Sequence, residues 1–250
     1  MATVLSDATS PDANSAALTH EPVDALRYDG QSDHPLEVAG MMQAMMPRNC
    51  NVLDVGCGTG SVTVIANRDK NNRVVAIEPD AQRAEIARSR GLQVHHGYLD
   101  DTFLQANGPY DVVMSSDVLE HTPNPAAFLG SMARAVKPGG LILLSVPNVA
   151  HWTVRLNLLI GRFDYAHAGI MDATHLRWFT AKTIANLVTH CGLTVMDMRH
   201  TAGVTLPVYS NRYFRRLPLG IRNYCIRALS RCFPLLFGVQ HVIIARAGTP

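Results

Sequence analysis

The sequence predicts an α/β fold built on a parallel sheet with helices on both faces. Two observations carry that expectation. Short apolar runs alternate with helical stretches from Asn51 to Pro147, and the first run ends in a glycine-rich turn, VGCGTGS. Alternation at this spacing needs crossover helices that bring each strand back in the same direction, so the helices cover both faces of the sheet.

The elements follow in order. NVLDVG (51–56) is a short apolar run ending in glycine, as a buried parallel strand should be, and a helix follows through Ile65 and Ala66. RVVAIE (73–78) is the second strand, and DAQRAEIARSR (80–90) is a helix capped by Asp80 and stopped by Gly91. LQVHH (92–96) and YDVVMSS (110–116) are the third and fourth strands. PAAFLGSMARAVKPGG (125–140) is a helix with proline at its entrance and Pro-Gly-Gly at its exit, before a fifth strand, LILLSVP (141–147). The rhythm then breaks until a helix over 180–192, a strand over 193–200 and a last strand over 240–246.

At 250 residues, with 47% hydrophobic and 17% charged side chains, the chain fits one domain carrying an insertion and is not disordered as a whole. The Ala-, Ser- and Pro-rich opening (1–22) is expected to be a mobile tail, with a single domain over 23–250. The net charge of +2 hides an asymmetry: from Met198 to Pro250 there are eight arginines and no acidic residue, against 14 basic and 20 acidic side chains before them. Such a stretch either faces anions or pairs with the acidic body. Five scattered cysteines, with no CxxC and no cluster at zinc spacing, fit a reducing compartment. With no basic-then-apolar start and no apolar run of spanning length, the expected location is cytoplasmic.

Gly56, Gly58 and Gly60 lie between a strand and a helix, where the chain must turn tightly and a ligand must approach the backbone. A dinucleotide fingerprint wants G-x-G-x-x-G/A, whereas the sixth position here is Ser61. Asp54, inside the strand, is a carboxylate expected either to hold a ligand's ammonium or to fix the loop's amides. Glu78 ends the second strand, where a carboxylate accepts hydrogen bonds from ribose hydroxyls in adenosine-binding sheets. After the third strand, Leu99 and Asp100 are expected as the wall and the exocyclic-amine contact of an adenine. SSDVLEHTPNP (115–125) follows the fourth strand at the ligand-binding edge of the sheet.

The set VLDVGCGTG, Glu78 and DVLEHTPNP resembles the class I S-adenosylmethionine-dependent methyltransferase superfamily. The resemblance is to the small-molecule branch that includes ubiquinone-biosynthesis O-methyltransferases and methionine-biosynthesis methyltransferase-like proteins, and it covers roughly residues 45–200. It implies a Rossmann-like sheet of seven strands whose last strand is antiparallel. It also implies a cofactor, S-adenosyl-L-methionine, lined by Gly56, Gly58, Gly60, Glu78, Leu99 and the Ser116–Asp117 backbone. Tyr98 departs from the pattern, since many relatives carry an acidic residue there.

The segment 148–180 follows the fifth strand and is expected to form a lid, with 201–238 as a second cap. Its end, Asp172 to Thr180, resembles a D-x-T-H-L-R-[FW]-F-T block of methyltransferases encoded beside glycan and natural-product genes. Aromatic residues (Trp152, Phe163, Tyr165, Trp178, Phe179) mixed with histidines and arginines suit a pocket for a flat or hydroxylated acceptor. Methyl transfer to a hydroxyl needs a proton acceptor, for which His121, His151 and His175 are the candidates, with Asp172 placed to orient His175. Glu120 and His121 alone make a poor metal site, so no metal is expected. Ile221, Cys225, Leu229 and Cys232 recur at helical spacing, with Arg222, Arg227 and Arg231 elsewhere around the helix. That apolar stripe is expected to pack on the sheet, and contact with an anionic membrane is the alternative.

The functional expectation is methyl transfer to oxygen, less readily nitrogen, of a small-molecule or sugar-linked acceptor in secondary-metabolite or glycan biosynthesis. A catalytically silent partner subunit that binds the same cofactor and an NAD-dependent oxidoreductase are the alternatives. No base-stacking motif points to nucleic acid.

Overall fold

A computed structural model describes residues 26, 28–210 and 216–248. The expected tail (1–22) and part of the second cap lie outside them. A helix α1 (Val38–Met45) precedes β1 (Asn51–Val55), α2 (Ser61–Asn67), β2 (Arg73–Glu78), α3 (Ala81–Ser89), β3 (Gln93–His96) and α4 (Asp101–Asn107). Then come β4 (Tyr110–Ser116), a 3-10 turn (Leu119–His121), α5 (Pro125–Ala135), β5 (Val136–Pro147) and α6 (Trp152–Leu159). The chain closes with α7 (Ala181–His190), β6 (Leu193–His200), a 3-10 turn (Pro207–Ser210), α8 (Leu219–Cys232), α9 (Pro234–Phe237) and β7 (Gln240–Ala247).

The strands form one seven-stranded sheet in the order β3-β2-β1-β4-β5-β7-β6. β7 runs antiparallel between β5 and β6, as the resemblance implied. Successive residues of each strand point to opposite faces, so both faces carry a core. Leu53, Val113, Ile142 and Ile243 pack with Leu129, Met132 and Ile184 on one side. Their neighbours Val52, Val112, Leu143 and Val242 pack with Val38, Met41 and Met42 on the other. Double-sided burial explains why these strands read as unbroken apolar runs rather than alternating ones.

Three elements differ from expectation. The helix begun at Pro125 stops at Ala135, and Val136–Gly140 belongs to the fifth strand, with Val136 paired to Tyr110. Gly140 is needed there, because a Cβ would meet the Asp111 carbonyl oxygen at 2.8 Å. The buried helix α1 was not foreseen: it is apolar on nearly every side and its Glu37 makes no side-chain cap. In α8 the buried residues are Ile226 and Ser230, so the predicted stripe of Ile221, Cys225, Leu229 and Cys232 points away from the body.

The connections from β1 leave toward β2, while β4 lies on its other side. The carboxyl ends of β1 and β4 therefore flank the switch-point crevice where open α/β sheets bind ligands. The first and fourth strands deliver the glycine turn and the 116–121 segment to that edge.

Candidate active site

All three glycines of the loop adopt positive φ, at 78°, 56° and 79° for Gly56, Gly58 and Gly60. At Gly60 the positive φ favours glycine and a Cβ would press on the tip of the Leu92 side chain at 2.5 Å; at Gly58 nothing lies within 4 Å, so the space beside it is open to a ligand. Buried Glu78 braces this turn: its Oε2 accepts the Gly58 N–H at 2.7 Å and its Oε1 accepts the Asp80 N–H at 3.0 Å. The residue expected to contact only a ribose thus also shapes the loop, and each oxygen keeps a second lone pair for a ligand hydroxyl.

Asp54 is 2% exposed. One oxygen accepts from Thr63 Oγ1, and Oδ1 has no partner among the described residues. Burial first, and the neighbouring Glu78 charge, push its carboxyl up to about 7, against the lowering effect of the Thr63 bond. A buried carboxylate with an unmet acceptor beneath a glycine loop fits a cationic ligand group, as the ammonium and sulfonium of S-adenosylmethionine would supply.

A strap made by residues distant in sequence crosses this loop. Asp29 accepts from Thr59 Oγ1 and pairs with Arg90 at 2.7 Å, while Arg90 also donates to the Thr59 carbonyl at 3.0 Å. The Arg90 bond, then the Thr59 bond, hold the Asp29 carboxyl below its usual range. The adjacent Tyr28 hydroxyl donates to Asp172 and accepts the Gly169 N–H at 3.0 Å. Consecutive residues therefore tie the glycine loop to the segment after β5.

At the end of β4, Ser116 Oγ lies 2.9 Å from Ser145 Oγ, and Ser145 donates to Asp117 at 2.9 Å. Asp117 sits at φ 53°, and burial raises its carboxyl to about 6. Glu120 is 1% exposed, and neither of its carboxylate oxygens has a hydrogen-bond partner among the described residues. Desolvation, then the Asp117 charge, hold its carboxyl well above the ordinary range. Its backbone carbonyl accepts the Leu176 and Arg177 N–H groups, which docks the 148–180 insertion onto this turn.

That docking brings His175 to His121, with ring centroids 4.8 Å apart and edge-to-face. His121 Nδ1 faces the Thr174 carbonyl and His175 Nδ1 faces the Ile170 carbonyl, both at 3.1 Å. A carbonyl only accepts, so a neutral ring bonded in this way carries its proton on Nδ1 and its lone pair on Nε2; the Thr174 hydroxyl also lies 3.3 Å from His121 Nδ1. Donor atoms of Glu120, His121 and His175 lie within 4.8 Å of one another, an oxygen–nitrogen set that would also suit a divalent cation.

Other candidates also make contacts within the fold. Asp172 was expected to orient His175; its carboxylate accepts from Thr174 N and Oγ1 and from Tyr28, while the Ile170 carbonyl fixes the His175 ring. Fully buried His151 caps α6 through Thr153, stacks near Trp152, and is held neutral by burial with its pKa lowered to about 4. Asp100 caps α4 by accepting the Phe103 N–H at 2.7 Å, and Leu99 packs against the core. Phe179 belongs to that core and Trp152 donates to Tyr209, which leaves Phe163, Tyr165 and Trp178 as the lid's mutually packed aromatic cluster. The lid closes on itself, since Val149 N donates to the Phe179 carbonyl beside the Asn148–Phe179 bridge.

A family profile described as a methyltransferase domain matches residues 26–197. The ubiquinone biosynthesis O-methyltransferase of Leptothrix cholodnii is 29% identical over 193 residues, 70% of this chain and 75% of that protein. The enzyme of the same name from Maricaulis maris is 33% identical over 108 residues, 39% of this chain; the match spans only 40% of that relative's length. Among solved structures, an S-adenosylmethionine-dependent methyltransferase from Mesorhizobium loti superposes with a TM-score of 0.56 at 16% identity, over 87% of this chain and 99% of that one. The 1,6-didemethyltoxoflavin-N1-methyltransferase of Burkholderia thailandensis superposes with a TM-score of 0.52 at 18% identity, over 86% of this chain and 78% of that one. At these identities the superpositions show the fold.

Proposed function

The chain belongs to the class I S-adenosylmethionine-dependent methyltransferases, and from that premise we propose that it methylates a hydroxyl oxygen, less readily a nitrogen, of a small-molecule or sugar-linked acceptor. The observation that carries the reading is the Glu120–His121–His175 cluster, set at the sheet's binding edge and completed by the lid. The donor side is assigned to Asp54, Gly56, Gly58, Gly60 and Glu78, with Leu99 and the Ser116–Asp117 backbone as the remaining wall.

In this reaction an imidazole Nε2 takes the acceptor's O–H proton as the oxygen attacks the methyl carbon in line. S-adenosylmethionine, held by the glycine loop, Asp54 and Glu78, would supply the methyl group and leave as S-adenosylhomocysteine, and the protonated histidine would return its proton to water. Burial of Glu120, and next the Asp117 charge, raise its carboxyl above the ordinary range and so favour its uncharged form beside the two rings. The two relatives named for O-methylation support oxygen as the target. A cytoplasmic place for this chemistry rests on the five free cysteines. No helix among the described residues is long and apolar enough to cross a membrane.

The test is a survey of hydroxylated acceptors with S-adenosylmethionine, read by product mass. A methylated product from a hydroxyl compound supports the reading. Turnover of amines alone would move the target to nitrogen. Tight S-adenosylhomocysteine binding with no turnover across the survey would favour a silent partner subunit, and a thermal shift with NAD alone would reverse the cofactor assignment.

A further inference from the structure

We propose that the outward face of α8 is a docking surface for an anionic lipid bilayer. The helix spans about 21 Å at the α-helical rise, and its inward side is marked by buried Ile226 and Ser230. On the opposite side Ile221 (54% exposed), Tyr224 (73% exposed), Cys225, Leu229 and Cys232 form a continuous apolar arc. Phe233, just after α8, and Leu235 in α9 are exposed as well. A helix serving only the fold would turn this arc inward.

Cations border the arc on both sides. At helical spacing Arg222 falls on one flank and Arg227 and Arg231 on the other. Along the second flank runs a groove of about 450 Å³ between α8 and the segment before α1, lined by His34, Leu36, Tyr224, Arg227 and Arg231. It adjoins a second groove of about 410 Å³ that shares Leu36 and Arg231 and adds Arg199 and His200. Of the acids of the segment lining this groove, Asp33 pairs with Arg68 at 2.9 Å, and Glu37 is largely buried, where its carboxylate accepts backbone bonds from Gly203 and Val204 and also feels the Arg227 charge, which leaves Arg231 as the groove's less compensated cation. From Met198 to the end of the chain there is no acidic side chain.

An apolar strip with arginines at its margins and a cationic groove beside it fits a bilayer whose headgroups are negative: the strip enters the acyl boundary and the groove takes phosphate. A second copy of the chain fits less well, because a two-fold contact would bring a second set of arginines to a face whose own stretch, from Met198 on, supplies no acidic side chain to pair with them. The surface lies apart from the Glu120–His121–His175 cluster in sequence and shares no residue with it.

The experiment is flotation of the full chain with vesicles of phosphatidylcholine alone and of phosphatidylcholine with phosphatidylglycerol. Binding is expected to the anionic vesicles only and to weaken as salt rises. Arg227→Gln and Arg231→Gln should each weaken it about fivefold, and Ile221→Asp should abolish it. All three variants should keep the thermal shift given by S-adenosylhomocysteine, which shows that they fold. No flotation with anionic vesicles, equal flotation with neutral ones, or variants that float like wild type would overturn the proposal. A dimer that Ile221→Asp turns into a monomer, with no flotation, would assign the face to a second copy instead.

Discussion

His121, on the turn after β4, and His175, in the lid, stand edge-to-face with ring centroids 4.8 Å apart, although 54 positions separate them in the chain. Each ring is held through Nδ1 by a lid carbonyl, Thr174 for His121 and Ile170 for His175. The lid, docked on the Glu120 carbonyl through the Leu176 and Arg177 N–H groups, thus supplies the carbonyl that orients each ring.

That coupling predicts a non-additive pair. His121→Ala and His175→Ala should each lower turnover about 10²–10⁴-fold, with cofactor affinity nearly unchanged. The double variant should lose little more than the worse single one, as groups acting as a unit do. Calorimetry for the cofactor and product mass for transfer separate the two quantities. Additive losses would mean that the rings act independently. Activity abolished by a chelator and restored by a divalent ion would recast Glu120, His121 and His175 as metal ligands.

Glu78 and Gly58 meet at a 2.7 Å bond, which makes their variants distinguishable. Gly58→Val should abolish cofactor binding, since its side chain would enter the open space and a branched residue resists φ 56°. Glu78→Ala should weaken binding by about 1–3 kcal/mol, the cost of lost charge-assisted bonds. It should also raise amide exchange at Gly58, a change that loss of a ribose contact alone would not produce. Wild-type affinity in Glu78→Ala would end the assignment.

The inner strands were legible because they are buried on both faces and bounded by turn residues, so Tyr110–Ser116 matches its apolar run end to end; the edge strand Leu193–His200, buried only at Leu193, was found from its place after a capped helix and a glycine. The glycine turn was legible because backbone conformation restricts residue type. What escaped were relationships made by tertiary docking. Glu120 and His121 looked like two adjacent ligands without a third until the lid supplied His175. The stripe on α8 has the spacing of a buried face, and periodicity alone does not say which side of a helix meets the body. Tyr28 and Asp29 carry no local signal, since their partners lie 144 and 61 residues away.

The strap made by those two residues should regulate how firmly the lid sits. Tyr28→Phe keeps the ring but removes the hydroxyl that joins Asp172 and Gly169. Amide exchange across residues 166–174 should quicken, and S-adenosylhomocysteine affinity should fall by about 1 kcal/mol, the net worth of a hydrogen bond. Unchanged exchange over that segment would show that the lid is held without the strap.

Asp54 predicts how cofactor affinity depends on pH. Its folded carboxyl is raised to about 7 by burial, from 3.8. Between those values the native state holds a proton that the unfolded chain has released, so the stability contribution of this group falls as pH rises through that window. A cationic ligand above the glycine loop reverses the preference, because it favours the ionised form. Binding below about pH 7 must then release the Asp54 proton, and affinity should climb as pH rises from about 6 to about 8 before levelling off. Calorimetry in buffers of different ionisation enthalpy would detect the released proton directly. Asp54→Asn should bind more weakly and show a flat profile over the same range, while its apo form should gain stability near neutral pH relative to wild type. If wild type and Asp54→Asn share one pH profile, the titrating group is elsewhere and Asp54 serves only Thr63 and the strand.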